Sequence, residues 1–418
     1  MAEKVSSRAT GRRPVARRPS LASLPPATWR GEVQDELLSN ILPFWIRFAV
    51  DPSGGFAGAL TDDLVVHNEV PRSGVVCARI LWTYAAAYRR FGRPEYFRMA
   101  QHAFTYLTGP FWDERHEGIY WQIDALGQPV SARKHSYAQA FAIYGLSEYY
   151  LATGDGRSLE FAQRLFSLLE RHAHDVVHGG YIEGCGPTWD ALADMRLSDK
   201  EPNCRKSMNT LLHILEGYSN LLRAWDDPLL RSRLRELLGI FLAHVLEGGT
   251  NRFRLFFDDA WQPMPDHISY GHDIEGSWLL VEAAELLDDP LLLQLVRAQA
   301  VAMAQSVRGG GLAADGSVLY ERRQDGSVDA TKHWWAQAEG VVGFYNAYQL
   351  SGDDHFLAAA LGCWHVICDQ FVDRVHGEWF KVLDPGGRPV PGQYKVGPWE
   401  CPYHHGRMCL ELLARISS

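Results

Sequence analysis

The chain has 418 residues, of which 46% are hydrophobic and 22% charged, the balance of a globular protein with a large core. Its formal net charge is −9, so nucleic acid is not an expected partner, because phosphate binding needs clustered basic residues. The seven cysteines are scattered and include no CxxC pair, which favours free thiols in a reducing, cytoplasmic location over disulfides or a zinc site. No apolar run approaches the roughly 18 residues of a membrane span, so no membrane association is expected.

The first part of the chain differs in composition from the remainder. Residues 1–28 are rich in Arg, Pro and Ser and show no apolar periodicity, which predicts a disordered basic tail. This stretch lacks the apolar segment of a signal peptide. We expect residues 29–418 to form a single domain.

A short glycine–aromatic or glycine–apolar motif recurs along the chain. Its copies, one of them degenerate, lie at residues 54–56, 118–120, 179–181, 251–253, 310–312 and 377–379. The spacing of about 60–70 residues implies six structural units. Each interval contains two stretches with the 3.6-residue apolar period of helices, followed by a short alternating stretch that indicates a strand or hairpin.

In chain order, the apolar period predicts twelve helices joined in pairs by short turns, with short β-hairpins in the longer connecting loops. The predicted helices span residues 30–48, 75–91, 95–108, 135–153, 156–173, 206–224, 227–247, 271–287, 289–306, 333–351, 353–374 and 403–416. The even-numbered helices are apolar nearly all round, which indicates burial on both sides. The favoured fold is therefore all-α, a single (α/α)6 barrel with the even-numbered helices inside, and the alternative is an open α-solenoid.

Unusual polar and aromatic residues gather in the first turns of the even-numbered helices. They are Arg79, Tyr137, Asn209, His213, His272, Glu275, Trp278, Trp334, Trp335, Glu339, His404 and Arg407. In a closed ring the inner helices run the same way, so their N-termini meet at one mouth. The helix dipoles there favour a developing anion, and we expect the active site at that mouth.

The residue types at the predicted mouth favour proton transfer by histidine. His272 and Glu275 share a helix face and could form half of a metal site, but no HExxH or comparable ligand set accompanies them. We therefore expect no metal, and we expect Glu275 to orient and tune His272. Histidine suits reversible proton transfer near neutral pH. The absence of a P-loop, a Rossmann fingerprint and a GxSxG elbow argues against a nucleotide cofactor and a serine hydrolase.

Five segments of the chain resemble the N-acylglucosamine 2-epimerase superfamily. They are residues 78–82, 206–213, 269–278, 333–339 and 397–407. The similarity extends from about residue 30 to residue 416, and the last segment is the most specific. Glu400 and His405 depart from the family pattern, in which Lys and Asn are usual at these places.

The resemblance implies a sugar 2-epimerase without a metal or nucleotide cofactor, closest to members that convert the reducing-end glucose of a β-1,4-linked disaccharide into mannose. His272 and His404 would then exchange the C2 proton on opposite faces of the sugar, while Arg79 and His213 would stabilise the cis-enediolate. The expected substrate-binding residues are Tyr137, Asn209, Trp278, Trp334, Trp335, Glu339, Trp399 and Arg407.

Three alternatives stay open at this point. The first is a relative that uses a monosaccharide, either an N-acylglucosamine 2-epimerase or a mannose isomerase, the latter returning the proton to C1 through the same intermediate. The second is a glycoside hydrolase, because (α/α)6 barrels also carry paired carboxylates. The third is a carbohydrate-binding protein without activity. The oligomeric state is not determined by the sequence.

Overall fold

The structure is a computed structural model that describes residues 26–416, and within them the chain forms twelve helices, as predicted. They are α1 (Pro26–Glu36, continued by the π-helical turn Leu37–Ile41 and by Leu42–Phe48), α2 (Gly74–Phe91), α3 (Pro94–Thr108), α4 (Ser136–Thr153), α5 (Gly156–His172), α6 (Met208–Ala224), α7 (Pro228–Ile240, continued by the π-helical turn Phe241–Val245), α8 (Tyr270–Glu285), α9 (Pro290–Gly310), α10 (Trp334–Ser351), α11 (Asp354–Val366, continued by the π-helical turn Ile367–Phe371) and α12 (Tyr403–Arg415).

The six even-numbered helices form a closed inner ring. Each of them contacts the next, and α12 contacts α2. The odd-numbered helices lie outside, with α3 on α2, α5 on α4, α9 on α8 and α11 on α10. This arrangement confirms the (α/α)6 barrel and excludes the open solenoid, in which the last helix would not reach the first.

Glycines let neighbouring inner helices approach closely. A Cβ atom added to Gly145 of α4 would lie 2.6 Å from the carbonyl oxygen of Ala78 in α2. The same atom on Gly217 of α6 would lie 2.7 Å from the carbonyl oxygen of Ala140 in α4. Any larger residue would push these helices apart, so the two glycines fix the diameter of this part of the ring.

Short antiparallel ladders occupy the loops on the side where the inner helices begin, which confirms the predicted β-structure. The strands are β1 (Ala59–Thr61), β2 (Val66–His67), β3 (Arg72–Ser73), β4 (Gln122–Ile123), β5 (Pro129–Ser131), β6 (Lys134–His135), β7 (Gly184–Cys185), β8 (Lys206–Ser207), β9 (Leu246–Glu247), β10 (Arg252–Phe253), β11 (Phe256–Phe257), β12 (Ile268–Ser269), β13 (Glu321–Arg322), β14 (Val328–Asp329), β15 (Lys332–His333), β16 (Val382–Leu383) and β17 (Tyr394–Val396).

These ladders link each unit to the following one. The strand before each inner helix pairs with a strand in the next unit, in the pairs β3–β4, β6–β7, β8–β11, β12–β13 and β15–β16. The sixth pair, β17–β1, joins Val396 to Leu60. The ladders therefore close around the mouth as the helices do, and they fix the start of every inner helix.

An ion pair with a buried cation accompanies five of the six units, a repeat that the sequence analysis missed. In each pair a cation that precedes an inner helix, by two residues in four units and by eight in the unit of α12, binds an aspartate that follows the preceding outer helix. The pairs are Arg72–Asp51 (3.0 Å), Lys134–Asp113 (2.8 Å), Lys206–Asp175 (2.7 Å), Lys332–Asp315 (2.5 Å) and Lys395–Asp373 (2.8 Å). The unit of α8 has Ile268 at the position of the cation.

The first helix begins earlier than predicted. Pro26 opens α1, because proline is favoured in the first turn of a helix, so residues 26–28 belong to the barrel instead of the predicted tail. The remainder of that tail, residues 1–25, lies outside the described residues. Between residues 26 and 416, no helix is both long enough and apolar enough to span a membrane.

Candidate active site

A cavity of about 500 Å³ opens where the inner helices begin. It is lined by ten residues that the sequence predicted for the site: Arg79, Tyr137, Asn209, His213, His272, Glu275, Trp334, Trp335, Trp399 and His404. The lining also includes His333, which begins a predicted helix, and residues 197–201, Tyr320 and Lys381, which were not predicted. The residues that were not predicted come from loops between units, where helical periodicity gives no signal.

Three further predicted residues lie behind the cavity wall. Trp278, Glu339 and Arg407 are each about 1% exposed and do not line the cavity. They were expected to bind the substrate, but in the structure they bind other side chains of the site. Glu339 and Arg407 lie in the second turn of α10 and α12, and Trp278 lies in the third turn of α8, so all three are deeper than the residues at the helix starts.

His404 is held by a buried carboxylate. Its Nδ1 lies 2.7 Å from Oε1 of Glu339, and Nε1 of Trp278 donates to the other oxygen of Glu339 at 3.0 Å. Burial, followed by the charges of Arg79 and Arg407, holds the pKa of His404 well below its usual range. The ring is therefore neutral, and a proton on Nδ1 that is donated to Glu339 leaves Nε2 as the free basic nitrogen.

Arg407 joins three carboxylates contributed by three inner helices. Its Nη2 donates to Glu275 at 2.6 Å and to Glu339 at 2.7 Å, while Nη1 donates to Glu216 and to the hydroxyl of Tyr403. Because three negative groups share one guanidinium, they cannot all be ionised without cost.

The three carboxyl groups differ in acidity. Burial and the charge of Glu339 raise the pKa of Glu275, and burial also raises the pKa of Glu339. Glu216 is equally buried, but the charge of Arg407 and the hydrogen bond of His213 outweigh this and lower its pKa to about 2. The cluster is therefore arranged to retain a proton on the Glu275–Glu339 side, next to His404.

His272 has a different partner from the one the sequence suggested. Its Nδ1 lies 2.7 Å from the hydroxyl oxygen of Ser269, whereas Glu275 is hydrogen-bonded to Arg407. The expectation that Glu275 orients His272 is therefore wrong, because the guanidinium holds that carboxylate. Burial, and then the neighbouring His213 and His267, lower the pKa of His272 to about 3, so this ring is also neutral.

Trp335 lies close to both histidines. Its ring centre is 4.8 Å from that of His272 and 5.7 Å from that of His404. A flat apolar surface flanked by two imidazoles can hold a sugar ring by stacking while a basic group approaches from either side.

Donors for a negative charge lie across the cavity. Nη2 of Arg79 donates to the hydroxyl of Tyr137 at 2.8 Å, and its guanidinium lies 4.2 Å from the ring centre of Phe141. Nε of Arg79 has no partner among residues 26–416. Nδ1 of His213 lies 2.9 Å from Glu216. A buried guanidinium next to a second polar donor is suited to stabilise an oxyanion.

One group of side chains has the spacing of a metal site. Ligand atoms of Glu275, Glu339 and His404 lie within 4.8 Å of one another. Oε1 of Glu275 and Oε1 of Glu339 both accept a hydrogen bond from Nη2 of Arg407. A metal ion at that place would have to displace a guanidinium and overcome its charge, so these residues fit poorly as ligands.

Comparison with known proteins identifies the family. Residues 54–406 match the family model of N-acylglucosamine 2-epimerase. The chain belongs to the N-acylglucosamine 2-epimerase family. A cellobiose 2-epimerase of Bacteroides fragilis is 45% identical over 384 residues, which cover 91% of this chain and 98% of that protein.

More distant relatives and solved structures are consistent with this family assignment. A D-mannose isomerase of Marinomonas mediterranea is 24% identical and covers 91% of this chain and 96% of its own length. The structure of cellobiose 2-epimerase from Bacillus thermoamylovorans superposes with a TM-score of 0.89 at 36% identity, covering 93% of this chain and all of that one. Glycoside hydrolases of family 76 share the fold alone, at 15% identity and a TM-score of 0.63.

Proposed function

We propose that this epimerase-family protein interconverts the glucose and mannose forms of the reducing-end sugar in β-1,4-linked disaccharides such as cellobiose. The observation that carries the proposal is the pair of imidazoles, His272 and His404, which line one cavity and both lie beside Trp335. Inversion at C2 requires a proton to leave one face of the carbon and return to the other, and two separate basic groups meet that need.

The reaction begins with a ring-opened sugar whose C1 is an aldehyde. One histidine takes the C2 proton at its free nitrogen, and the electron pair of the broken C–H bond moves into a cis-enediolate. Arg79 and His213 stabilise the negative oxygens of this intermediate. The other histidine, which carries a proton on its cavity-facing nitrogen when the turnover begins, gives that proton to the opposite face of C2. This completes the inversion and leaves the two histidines with exchanged protonation states.

The residues behind the wall support this chemistry without touching the sugar. When His404 is protonated, its positive charge lies against Glu339, and Trp278 and Arg407 hold that carboxylate in place. A charged imidazole and a carboxylate at hydrogen-bond distance stabilise each other in a buried site. Glu339, Trp278 and Arg407 are therefore assigned as positioning residues in this proposal.

The further residues of the cavity lining support a disaccharide as the substrate. They include Tyr320, Lys381, Trp399 and residues 197–201, and these aromatic and polar groups suit the flat face and the hydroxyls of a second sugar. The similarity to cellobiose 2-epimerases, at up to 45% identity in the relatives described, supports the same substrate class. Lys381 also binds Glu400, one of the two residues that depart from the family pattern.

The thiols are compatible with the predicted cytoplasmic location. All seven cysteines are free and buried, so no disulfide contributes to stability. Under this proposal a small sugar is the only partner that the reaction needs, and the oligomeric state does not enter the mechanism.

Incubating the protein with cellobiose and separating the products tests the proposal. We expect 4-O-β-glucosyl-mannose to form. Glucosyl-fructose as the main product would indicate an isomerase instead, free glucose would indicate a hydrolase, and unchanged cellobiose would exclude activity on this substrate. Mannose, glucose and N-acetylglucosamine tested in parallel distinguish a disaccharide enzyme from one that uses monosaccharides.

A further inference from the structure

Ser269 occupies a rigid position next to the proposed base His272. It is the last residue of β12, where it pairs with Glu321 of β13, and it directly precedes α8. It is 5% exposed. Its backbone is therefore fixed by the ladder on one side and by the helix on the other, so its hydroxyl is confined to a small region.

The hydroxyl of Ser269 forms a hydrogen bond with His272 instead of capping the helix. A serine before the first turn of a helix usually accepts a hydrogen bond from a backbone N–H of that turn. Ser207, at the equivalent position before α6, does so, accepting from the N–H of Thr210 at 3.1 Å. Ser269 makes no such bond within the described chain, and its oxygen lies 2.7 Å from Nδ1 of His272.

We propose that Ser269 is a positioning residue that fixes the ring of His272 and selects the nitrogen that the ring presents to C2 of the sugar. This inference rests on the proposed epimerase function. With the Nδ1 proton donated to the serine oxygen, Nε2 carries the lone pair that takes the C2 proton. When the C–H bond breaks, its electron pair stays on the sugar as the enediolate and the proton forms the new Nε2–H bond.

A hydroxyl suits this task better than a carboxylate would. A carboxylate partner favours the protonated imidazole and would raise the pKa of His272, whereas a neutral hydroxyl orients the ring without adding charge. The charged and titratable groups around His272 are His213, His267, Glu339 and Arg79. None of these is the hydrogen-bond partner of Nδ1, so Ser269 is the group that determines the orientation.

The variants Ser269→Ala, Ser269→Thr and Ser207→Ala test this role together. We expect Ser269→Ala to lower kcat for cellobiose by between about 10-fold and 100-fold, less than removal of the base itself, with KM changed less than threefold. Ser269→Thr restores the hydroxyl and should recover most of kcat. Ser207→Ala removes the matched helix cap and should lower the melting temperature while kcat stays within about twofold.

Hydrogen exchange at C2 in D2O separates positioning from general damage. In Ser269→Ala, exchange with retention should be slowed only for the epimer whose C2 proton faces His272, and exchange from the other epimer through His404 should continue at nearly the wild-type rate. Equal slowing for both epimers, no recovery in Ser269→Thr, or an equal loss of kcat in Ser207→Ala would each overturn the proposal.

A measurement without turnover distinguishes this proposal from the proposed function. The 15N shifts of the His272 imidazole report which nitrogen carries the proton, and we expect an Nδ1–H tautomer in the wild type and in Ser269→Thr but a mixture of tautomers in Ser269→Ala. If the wild type leaves cellobiose unchanged while these shifts behave as expected, the function fails and the positioning role stands. Identical shifts in all three proteins would reject the positioning role.

Discussion

The two proposed bases lie in surroundings of different construction. His404 depends on contacts from distant parts of the chain, because its partner Glu339 belongs to α10 and is held by Trp278 of α8 and by Arg407 of α12. His272 depends on a residue three positions earlier in the chain, Ser269. One histidine is therefore supported by a charged network across the ring, and the other by a single neutral hydroxyl next to it.

This difference has a chemical consequence. A protonated His404 lies against a carboxylate, whereas a protonated His272 has only a hydroxyl at its Nδ1, so the protonated form of His404 receives more direct support. A reversible two-base reaction needs one protonated and one neutral base at each moment. The asymmetry indicates that the resting proton is held within the group formed by Glu275 of α8, Glu339 of α10 and His404 of α12.

The largest expected effect comes from removing either base. His272→Asn and His404→Asn should each lower epimerisation of cellobiose by about 10²–10⁴-fold or more, with melting temperatures close to that of the wild type. In D2O, each variant should still exchange the C2 hydrogen of the one epimer that faces its remaining histidine. If both variants epimerise at near wild-type rates, the two-base mechanism is wrong. If only one of them matters, a single base with a reorienting intermediate replaces it.

Removing the charge behind His404 should have the next largest effect. Glu339→Gln keeps the shape of the side chain but loses the carboxylate that supports a protonated His404, and a hydrogen bond to a charged group is worth about 1.5–3 kcal/mol. We expect kcat to fall between about 10-fold and 100-fold, since each 1.4 kcal/mol corresponds to a factor of about ten. KM should change little, because Glu339 does not line the cavity.

Glu148→Gln provides the control for a buried carboxylate outside the site. Glu148 is 1% exposed and binds Arg89 at 2.7 Å, and it does not line the cavity. Its substitution should lower the melting temperature and leave kcat unchanged. A loss of kcat in this variant as large as that in Glu339→Gln would show that buried charge as such, and not support of His404, is responsible.

Substitution of Asp273 tests whether catalysis by His272 needs a neighbouring carboxylate. This residue follows His272 in the chain, but its carboxylate accepts from the backbone N–H of Phe253 at 2.8 Å. The equivalent positions in α4 and α10 hold Gln139 and Gln337, whose amides both accept from and donate to the backbone. Burial raises the pKa of Asp273 from 3.8 to about 7, since its charged form lacks compensation.

Asp273→Asn should therefore change stability but not catalysis. The folded protein keeps a proton on Asp273 up to about pH 7, whereas the unfolded chain releases it near pH 4. The stability of the folded protein therefore decreases as pH rises from about 4 to 7, and this loss of stability is complete above about pH 7. The gain in melting temperature of Asp273→Asn should grow from pH 5 to pH 8, with kcat within about twofold of the wild type. A fall in kcat as large as that of Glu339→Gln would show that His272 also uses a carboxylate.

The smallest expected effect is that of chelation. Because Arg407 already binds the oxygens of Glu275 and Glu339, exhaustive treatment with EDTA should leave the rate of epimerisation unchanged. Loss of activity that one particular metal restores would contradict this and would make His404 a ligand instead of a base.

The sequence predicted the architecture well because the architecture follows from repeated local patterns. The twelve helices, the loop hairpins and the shared mouth are all visible as periods and motifs in one dimension. The helix ends were less accurate: α7 and α11 end in π-helical turns, and a π-helical turn has no apolar period of its own. For four of these five inner helices the buried cation was detectable as a Lys or Arg two residues before the helix, but it was overlooked.

The contacts within the site were harder to predict, because several side chains compete for each charged group and the folded barrel decides which of them lies close enough to bind. Glu275 is three residues from His272 and would meet it on an isolated helix. In the barrel, Arg407 arrives from α12 and binds that carboxylate. Other features of the site likewise depend on the assembled ring, which the periodicity of a single sequence does not describe. They are the partners of His404, the depth of Trp278 and the loop residues that line the cavity.

The closure of the ring also affects how the chain is made. The apolar face of α1, with Trp29, Val33, Leu37 and Ile41, is buried, and α1 contacts α12, where Arg30 donates to the carbonyl oxygen of Leu413. During synthesis the first helix therefore leaves the ribosome long before α12 exists, and its apolar face is completely covered only when the final helix emerges. Such distant contacts also make ring closure slow, so the newly made chain depends on protection from aggregation for nearly the whole time of its synthesis.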